Sequence, residues 1–155
     1  MLARYQDCYI EPTKKGDAVK LFNELRDCDA EECIGMGVNP YDACILSAQP
    51  REKTFTIRSN SDDGVIACFG VGDAGKNKVG CIWMLGTDRV KEISHTFLSH
   101  SKEWIDYLVE GYAYVGNVVS TKNKVSMRWL KWVGAEFIKE DPNGYSEFVI
   151  PNPNY

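Results

Sequence analysis

The chain has 155 residues, is 44% hydrophobic and 26% charged, and carries a net charge of -4 with a pI near 5.2; this is the profile of one globular domain, expected over residues 1–155, with room for a sizeable core. The acidic balance offers no basic face for nucleic acid, and no apolar run approaches the roughly 20 residues that a helix needs to cross a membrane. Met1-Leu-Ala-Arg-Tyr-Gln-Asp lacks the apolar stretch of a secretion signal, so a cytoplasmic setting is expected.

Tyr5 to Ile10 alternates as an opening strand, and Pro12-Thr-Lys-Lys-Gly-Asp-Ala begins a helix with Val19, Leu21, Phe22 and Leu25 on one side. The acidic run Asp27 to Glu32 is expected to end that helix. Gly35 to Pro40 reads as a turn, and Tyr41 to Ala48 as a second short helix stopped by Pro50. Lys53 to Ser59 alternates as a strand, Asp62-Asp-Gly64 makes a hairpin turn, Val65 to Val71 continues the antiparallel pairing, and a glycine-rich turn at 72–78 leads into the strand Val79 to Thr87. A long helix follows from Ser94, its expected N-cap, to Tyr112, with Phe97, Leu98, Trp104, Ile105 and Leu108 on a broad apolar face. Tyr114 to Val119 is a strand, and the hairpin Glu136 to Ile150 turns at Asp141-Pro-Asn-Gly144.

The six cysteines include no C-x-x-C pair. Cys68 and Cys81 lie inside apolar runs and read as small core residues. Cys28 and Cys33 flank Asp29, Glu31 and Glu32, but no histidine is near and no metal site is expected. His95 and His100 lie about 140° apart around a helix, so they do not converge on a metal either.

Between the last two predicted strands, Val125, Trp129, Trp132 and Val133 recur at helical spacing, opposed by Lys122, Lys124, Arg128 and Lys131. Gly134 suits a left-handed C-terminal cap, and Ala135-Glu-Phe-Ile begins a strand. This segment, an Asn with a glycine eleven residues on, resembles the last helix of the GCN5-related N-acetyltransferases (GNAT). The element order resembles that family over nearly the whole chain. The resemblance implies an α/β (α+β) fold: a central mixed, mostly antiparallel sheet of six to seven strands flanked by about four helices.

The resemblance also implies a site. In the family the Asn, here Asn123, lies beside coenzyme A, and a Tyr seven residues on protonates the departing thiolate. Leu130 stands at that position and cannot donate a proton. The pyrophosphate is held at a helix N-terminus by a Gln/Arg-x-x-Gly-x-Gly/Ala loop, whose free N–H groups and close backbone suit an anion. Here that loop is Arg89-Val-Lys-Glu92-Ile-Ser94, which keeps the first position and lacks the glycines. If the cofactor binds, the resemblance gives it backbone groups of Val79 to Leu85, with Arg89, Lys91, Ser94 and Asn123. Two unit charges about 4 Å apart repel by roughly 4 kcal/mol at an effective dielectric near 20, so an inward Glu92 opposes a pyrophosphate. Asp88 reads as a general base or as a turn and capping residue, and Tyr112 and Tyr114 as acids or as packing residues.

Phe69-Gly-Val-Gly, Cys81-Ile-Trp-Met-Leu-Gly-Thr-Asp, Tyr114-Val-Gly-Asn-Val and Arg128-Trp-Leu-Lys-Trp-Val-Gly-Ala-Glu-Phe together resemble small acetyltransferase-like proteins of short-tailed bacteriophages, several of them internal virion or virion-assembly proteins. Two readings stand. One is a non-catalytic assembly or interaction protein with phage or host protein partners and no cofactor, in the host cytoplasm or the virion. The other is an N-acyltransferase moving an acyl group from acetyl-CoA to an amine. A third, with the acidic Asp27 to Glu32 patch contacting a host enzyme, is more remote.

Overall fold

The alternating segments form strands in the structure, a computed structural model that describes residues 3–155. They are β1 (Ala3–Arg4), β2 (Cys8–Pro12), β3 (Thr54–Ser59), β4 (Val65–Asp73), β5 (Val79–Gly86), β6 (Tyr114–Ser120), β7 (Glu136–Glu140) and β8 (Tyr145–Pro151). One sheet holds them in the order β1-β2-β3-β4-β5-β6-β8-β7. β5 and β6 run parallel, whereas β1 with β2, β2 with β3, β3 with β4, and both β6 and β7 with β8 are antiparallel. The helices are α1 (Asp17–Asn23), α2 (Asp27–Gly35), α3 (Pro40–Ser47), α4 (Ser94–Val109) and α5 (Lys124–Trp132), with a 3₁₀-helix over Asp88–Ile93. The mixed, mostly antiparallel α+β class expected from the sequence is present, with one more strand and one more helix than its upper counts. Contacts group the chain into two compact units, residues up to Gly70 with Met84–Phe97, and Val71–Trp83 with Leu98–Tyr155.

In the first unit β3 is buried along its whole length. Ile10, Phe55, Ile57, Ile66 and Phe69 fill the core, with the rings of Phe55 and Phe69 5.8 Å apart. Inside this apolar layer lies the Arg58 guanidinium, its side chain 7% exposed. Arg58 Nη2 donates to both oxygens of Asp17, at 2.8 and 2.7 Å, and Nε donates to Glu11 Oε1 at 2.7 Å. Asp17 Oδ2 also accepts from Thr56 Oγ1 and from the Lys14 amide, which fixes the start of α1 against β2 and β3. A buried charge is tolerated only when paired in this way.

The acidic run does not end the first helix; it forms α2. Asp27 and Asp29 lie in its first turn, where the helix dipole favours them. Asp29 turns inward, leaving an unusually polar helix without the apolar spacing by which helices are recognised in sequence.

In the second unit, Trp104, Ile105, Leu108 and Val109 of α4 are buried, as are Val115 and Val119 of β6 and Phe148 and Ile150 of β8. Leu98, expected on the apolar face of α4, is exposed. β6 approaches β8 closely at Gly116, where a Cβ would stand 2.5 Å from Phe148 O. α5 is capped at its start by Asn123, whose side chain accepts from the Ser126 amide. It ends as predicted at Gly134 (φ 99°), with the Ala135 amide donating to Leu130 O and the Gly134 amide to Lys131 O. Its buried face differs from expectation: Leu130 and Val133 are buried and Trp129 Nε1 donates to Ser101 Oγ of α4, but Val125 and Trp132 are exposed. β7 is an edge strand, exposed apart from half-buried Phe137.

Removing Asp17 would leave a buried arginine without the carboxylate that meets its Nη2 with both oxygens. Asp17→Ala is expected to lower the unfolding free energy by about 3–5 kcal/mol in urea titrations; a loss near zero would show that Glu11 alone satisfies Arg58. Burial pushes the Glu11 carboxyl up, but hydrogen bonds from Arg58 and Lys14 outweigh it and hold the group below its ordinary value of 4.5. Glu11 therefore stabilises the fold above pH 4.5, and its contribution is lost as pH falls below that value. Glu11→Gln should flatten the acid limb of a stability–pH curve, and an unchanged limb would refute the assignment.

Candidate functional site

The site that the sequence points to lies where β5 runs into helix. Ala74 N donates to Val79 O and Thr87 N donates to Ile66 O, so odd-numbered residues of β5 turn their backbone groups toward β4. Leu85 has this parity. Met84 and Gly86 turn theirs to the opposite edge, and at Gly86 both groups are occupied by α2 and the residue before it. The Gly86 amide donates to Asp29 Oδ2 at 2.7 Å, and Gly86 O accepts from the Arg26 amide at 3.0 Å. Arg26 Nε donates to the same Asp29 oxygen at 2.7 Å, and Leu25 forms a β-bridge with Thr87. The approach is close: a Cβ on Gly86 would stand 2.9 Å from Val90 Cγ2 and 3.4 Å from Arg26 Nε.

The N-cap of the following helix is Thr87, not Ser94. Buried Thr87 Oγ1 donates to Ile66 O and accepts from the Arg89 amide. The 3₁₀-helix Asp88–Ile93 then runs directly into α4, with Ser94 already helical (φ -52°, ψ -43°) and its Oγ donating to Lys91 O. A helical turn thus precedes the start of α4, where the resemblance expects an open glycine loop. Arg89 is engaged on two sides: Nη1 donates to Asp62 Oδ1 at 3.1 Å and Nε to Glu92 Oε2 at 3.2 Å. The Gly64 amide and then Arg89 hold the Asp62 carboxyl below the usual carboxylate range. Glu92 points to Arg89 with more than half its side chain exposed. Lys91 and Asp88 are exposed. Beside this turn a polar hollow of about 410 Å³ is lined by Asp7, Ser59, Asn60, Ser61 and Glu92, among others. Two carboxylates in one hollow disfavour an anionic ligand there.

Leu85, Asp88, Arg89, Lys91 and Ser94 thus follow one another along a single strand-to-helix junction, while Tyr114 and Asn123 belong to the second unit. There β5 and β6 pair only over Val79–Cys81 and Tyr114–Gly116. The next carbonyl, Ile82 O, accepts from the Asn117 side chain at 2.7 Å. Tyr114 stands at the paired end of β6, and Asn123 lies beyond the other end, roughly 20 Å of strand away. The Asn123 side chain is engaged in capping α5, and Leu130 is buried. Tyr112 OH donates to Asp73 Oδ1.

Among the described residues, no group of three or more His, Cys, Asp or Glu side chains is placed to hold a metal ion. His95 is exposed, and His100 lies 3.4 Å from Glu103. Burial pushes the thiols of Cys8 and Cys68 up to about 12 and that of Cys44 to about 11, which keeps them protonated and unreactive. No described helix is long and apolar enough to cross a membrane.

The family described as "Bacteriophage T7, probable scaffold protein Gp13" matches residues 64–141, half of the chain, from the turn before β4 into the turn after β7. The chain belongs to that family. No curated protein matches it. Among solved structures it is similar to a GNAT-family acetyltransferase from Bacillus anthracis, with a TM-score of 0.67 and 12% identity over 98% of this chain and 99% of that one. It is also similar to an acetyltransferase from Agrobacterium tumefaciens, with a TM-score of 0.69 and 10% identity over 96% and 93% of the two chains. A third likeness is to the diaminobutyrate acetyltransferase EctA from Paenibacillus lautus in complex with its substrate and coenzyme A, with a TM-score of 0.66 and 12% identity over 94% and 95%. At such identities the likeness establishes the GNAT fold of this Gp13-family chain and nothing of its chemistry.

Three groups at this Gp13-family junction escaped the sequence reading. Asp29 looked like one acid in a solvated run, Asp62 like a turn residue, and Thr87 like the end of a strand. Only Thr87 carried a local signal, being a good capping residue directly before a helix. Asp29→Ala would leave the Gly86 amide and Arg26 without this partner, with an expected loss of about 2–4 kcal/mol of stability. Hydrogen exchange should show the Gly86 amide losing more protection than its neighbour at Thr87; equal losses would mean that Asp29 does not hold that edge.

Proposed function

We propose that this protein is a non-catalytic assembly protein of a phage, a Gp13-family scaffold in which the GNAT fold is kept and its acetyl-CoA site is degenerate. The observation that carries this reading is the Thr87–Ser94 junction. Its one arginine in the family's loop position is held between Asp62 and Glu92, and helix fills the place of the phosphate loop. Two further features support it. Asp29 and Arg26 take the backbone groups of Gly86 that would face a bound cofactor arm, and Leu130 stands where the family's proton donor would. Its partners on this reading are phage or host proteins, met in the host cytoplasm during assembly or in the virion itself.

One observation favours the alternative, a coenzyme A-dependent N-acyltransferase acting on an amine of a protein or small molecule. β5 and β6 pair over three residues and then exchange a side-chain bond for the backbone ladder, as strands do where they begin to part. In that case Leu85, Arg89, Lys91, Ser94 and Asn123 would hold the cofactor, and Asp88 or Tyr114 would transfer a proton.

Calorimetric titration with acetyl-CoA separates the readings. The parent protein is expected to show no binding up to about 1 mM, whereas a dissociation constant near 1 μM would overturn the scaffold reading. Glu92→Gly frees one side of Arg89 but leaves the helical turn in place, so no binding is expected there either. Binding gained by that variant would assign the loss to charge rather than to backbone.

A further inference from the structure

The chain's charge is unevenly placed. Residues 21–48 carry six carboxylates against a single cation, Arg26, which is committed to Asp29. Residues 111–135 carry four cations and no carboxylate. Each region also exposes apolar side chains. Ile34, 64% exposed, stands with exposed Met36, Val38 and Tyr41 on the turn from α2 into α3. The turn is fixed: the Gly37 amide donates to Ile34 O and the Val38 amide to Cys33 O, and Tyr41 packs edge-on against Phe22 at 5.1 Å. Exposed Asp27, Glu31 and Asp42 belong to the same two helices. On α5, Val125 and Trp132, 69% and 66% exposed, lie seven residues apart and so share one face. Exposed Lys124, Arg128 and Lys131 accompany them.

An apolar patch with acidic neighbours and an apolar stripe with basic neighbours are complementary in both respects. An exposed tryptophan is the kind of side chain that anchors protein contacts. We propose that this protein associates with further copies of itself head to tail, the α2–α3 surface of one copy receiving the outer face of α5 from the next. Because the two patches differ, a pair joined through one contact leaves one patch of each kind open, which either close on each other or take up further copies. This inference rests on the scaffold reading and names its first partner, a second copy of the chain.

Sedimentation velocity of the full chain, without coenzyme A, tests it. The mean mass should rise above the monomer as protein is raised from about 1 to 200 μM, and association should weaken about tenfold or more between roughly 50 and 500 mM salt. Trp132→Glu and Met36→Asp, both at exposed positions and checked for folding by circular dichroism, should each abolish growth. Mixed together they should form a 1:1 dimer that grows no further, since each supplies the patch that the other lacks. A monomer at every concentration overturns the proposal. So does association that neither variant weakens, or a pair of blocked variants that fails to combine, which would signal a patch meeting its own copy. A monomeric result would leave the scaffold reading standing or falling on the acetyl-CoA titration alone.

Discussion

A buried guanidinium organises the first unit. Arg58 sits on a strand that is covered on both faces, so its charge has to be answered from inside the protein. Glu11 answers from β2 and Asp17 from the first residue of α1, and Asp17 binds Thr56 and the Lys14 amide as well. An apolar residue at position 58 could pack in several ways. A planar donor with two carboxylates has far fewer solutions, and the one adopted fixes where α1 begins relative to β2 and β3.

From α1 the chain passes directly to α2, and the start of α2 meets the end of β5. Arg26, Asp29 and Gly86 form a closed set of three hydrogen bonds, two of which join segments almost sixty residues apart. Both backbone groups of Gly86 are thereby taken by internal partners. The Thr87 cap and the 3₁₀-helix then carry the chain into α4 without an open loop. The junction is built from ordinary parts: a cap, a buried carboxylate and a turn of helix.

Much of the fold was legible because its signals are local. The Asp62–Gly64 turn, the alternation of β3, the apolar run of β4 and the glycine stop at Gly134 each depend on neighbours in sequence. The site was less legible because its decisive contacts are distant. Asp29 reaches a backbone amide on β5, and Asp62 reaches Arg89 from the β3–β4 turn. Thr87 and Ser94 are both residue types that cap helices, and only the position of Ile66 O selects the first. Spacing placed Val125 and Trp132 on the apolar side of α5, yet periodicity states which residues share a face and not whether anything in the fold covers it.

The ends of the sheet have a consequence for how copies of this protein meet. At one end stands β1, two residues long, and at the other β7, which carries Glu136, Lys139 and Glu140 among its five residues. A short strand offers too few backbone groups to nucleate pairing, and a charged one repels or desolvates poorly against an identical strand. Both borders are therefore poor templates for cross-β growth. At high concentration the chain is then guarded against joining edge to edge through its backbone.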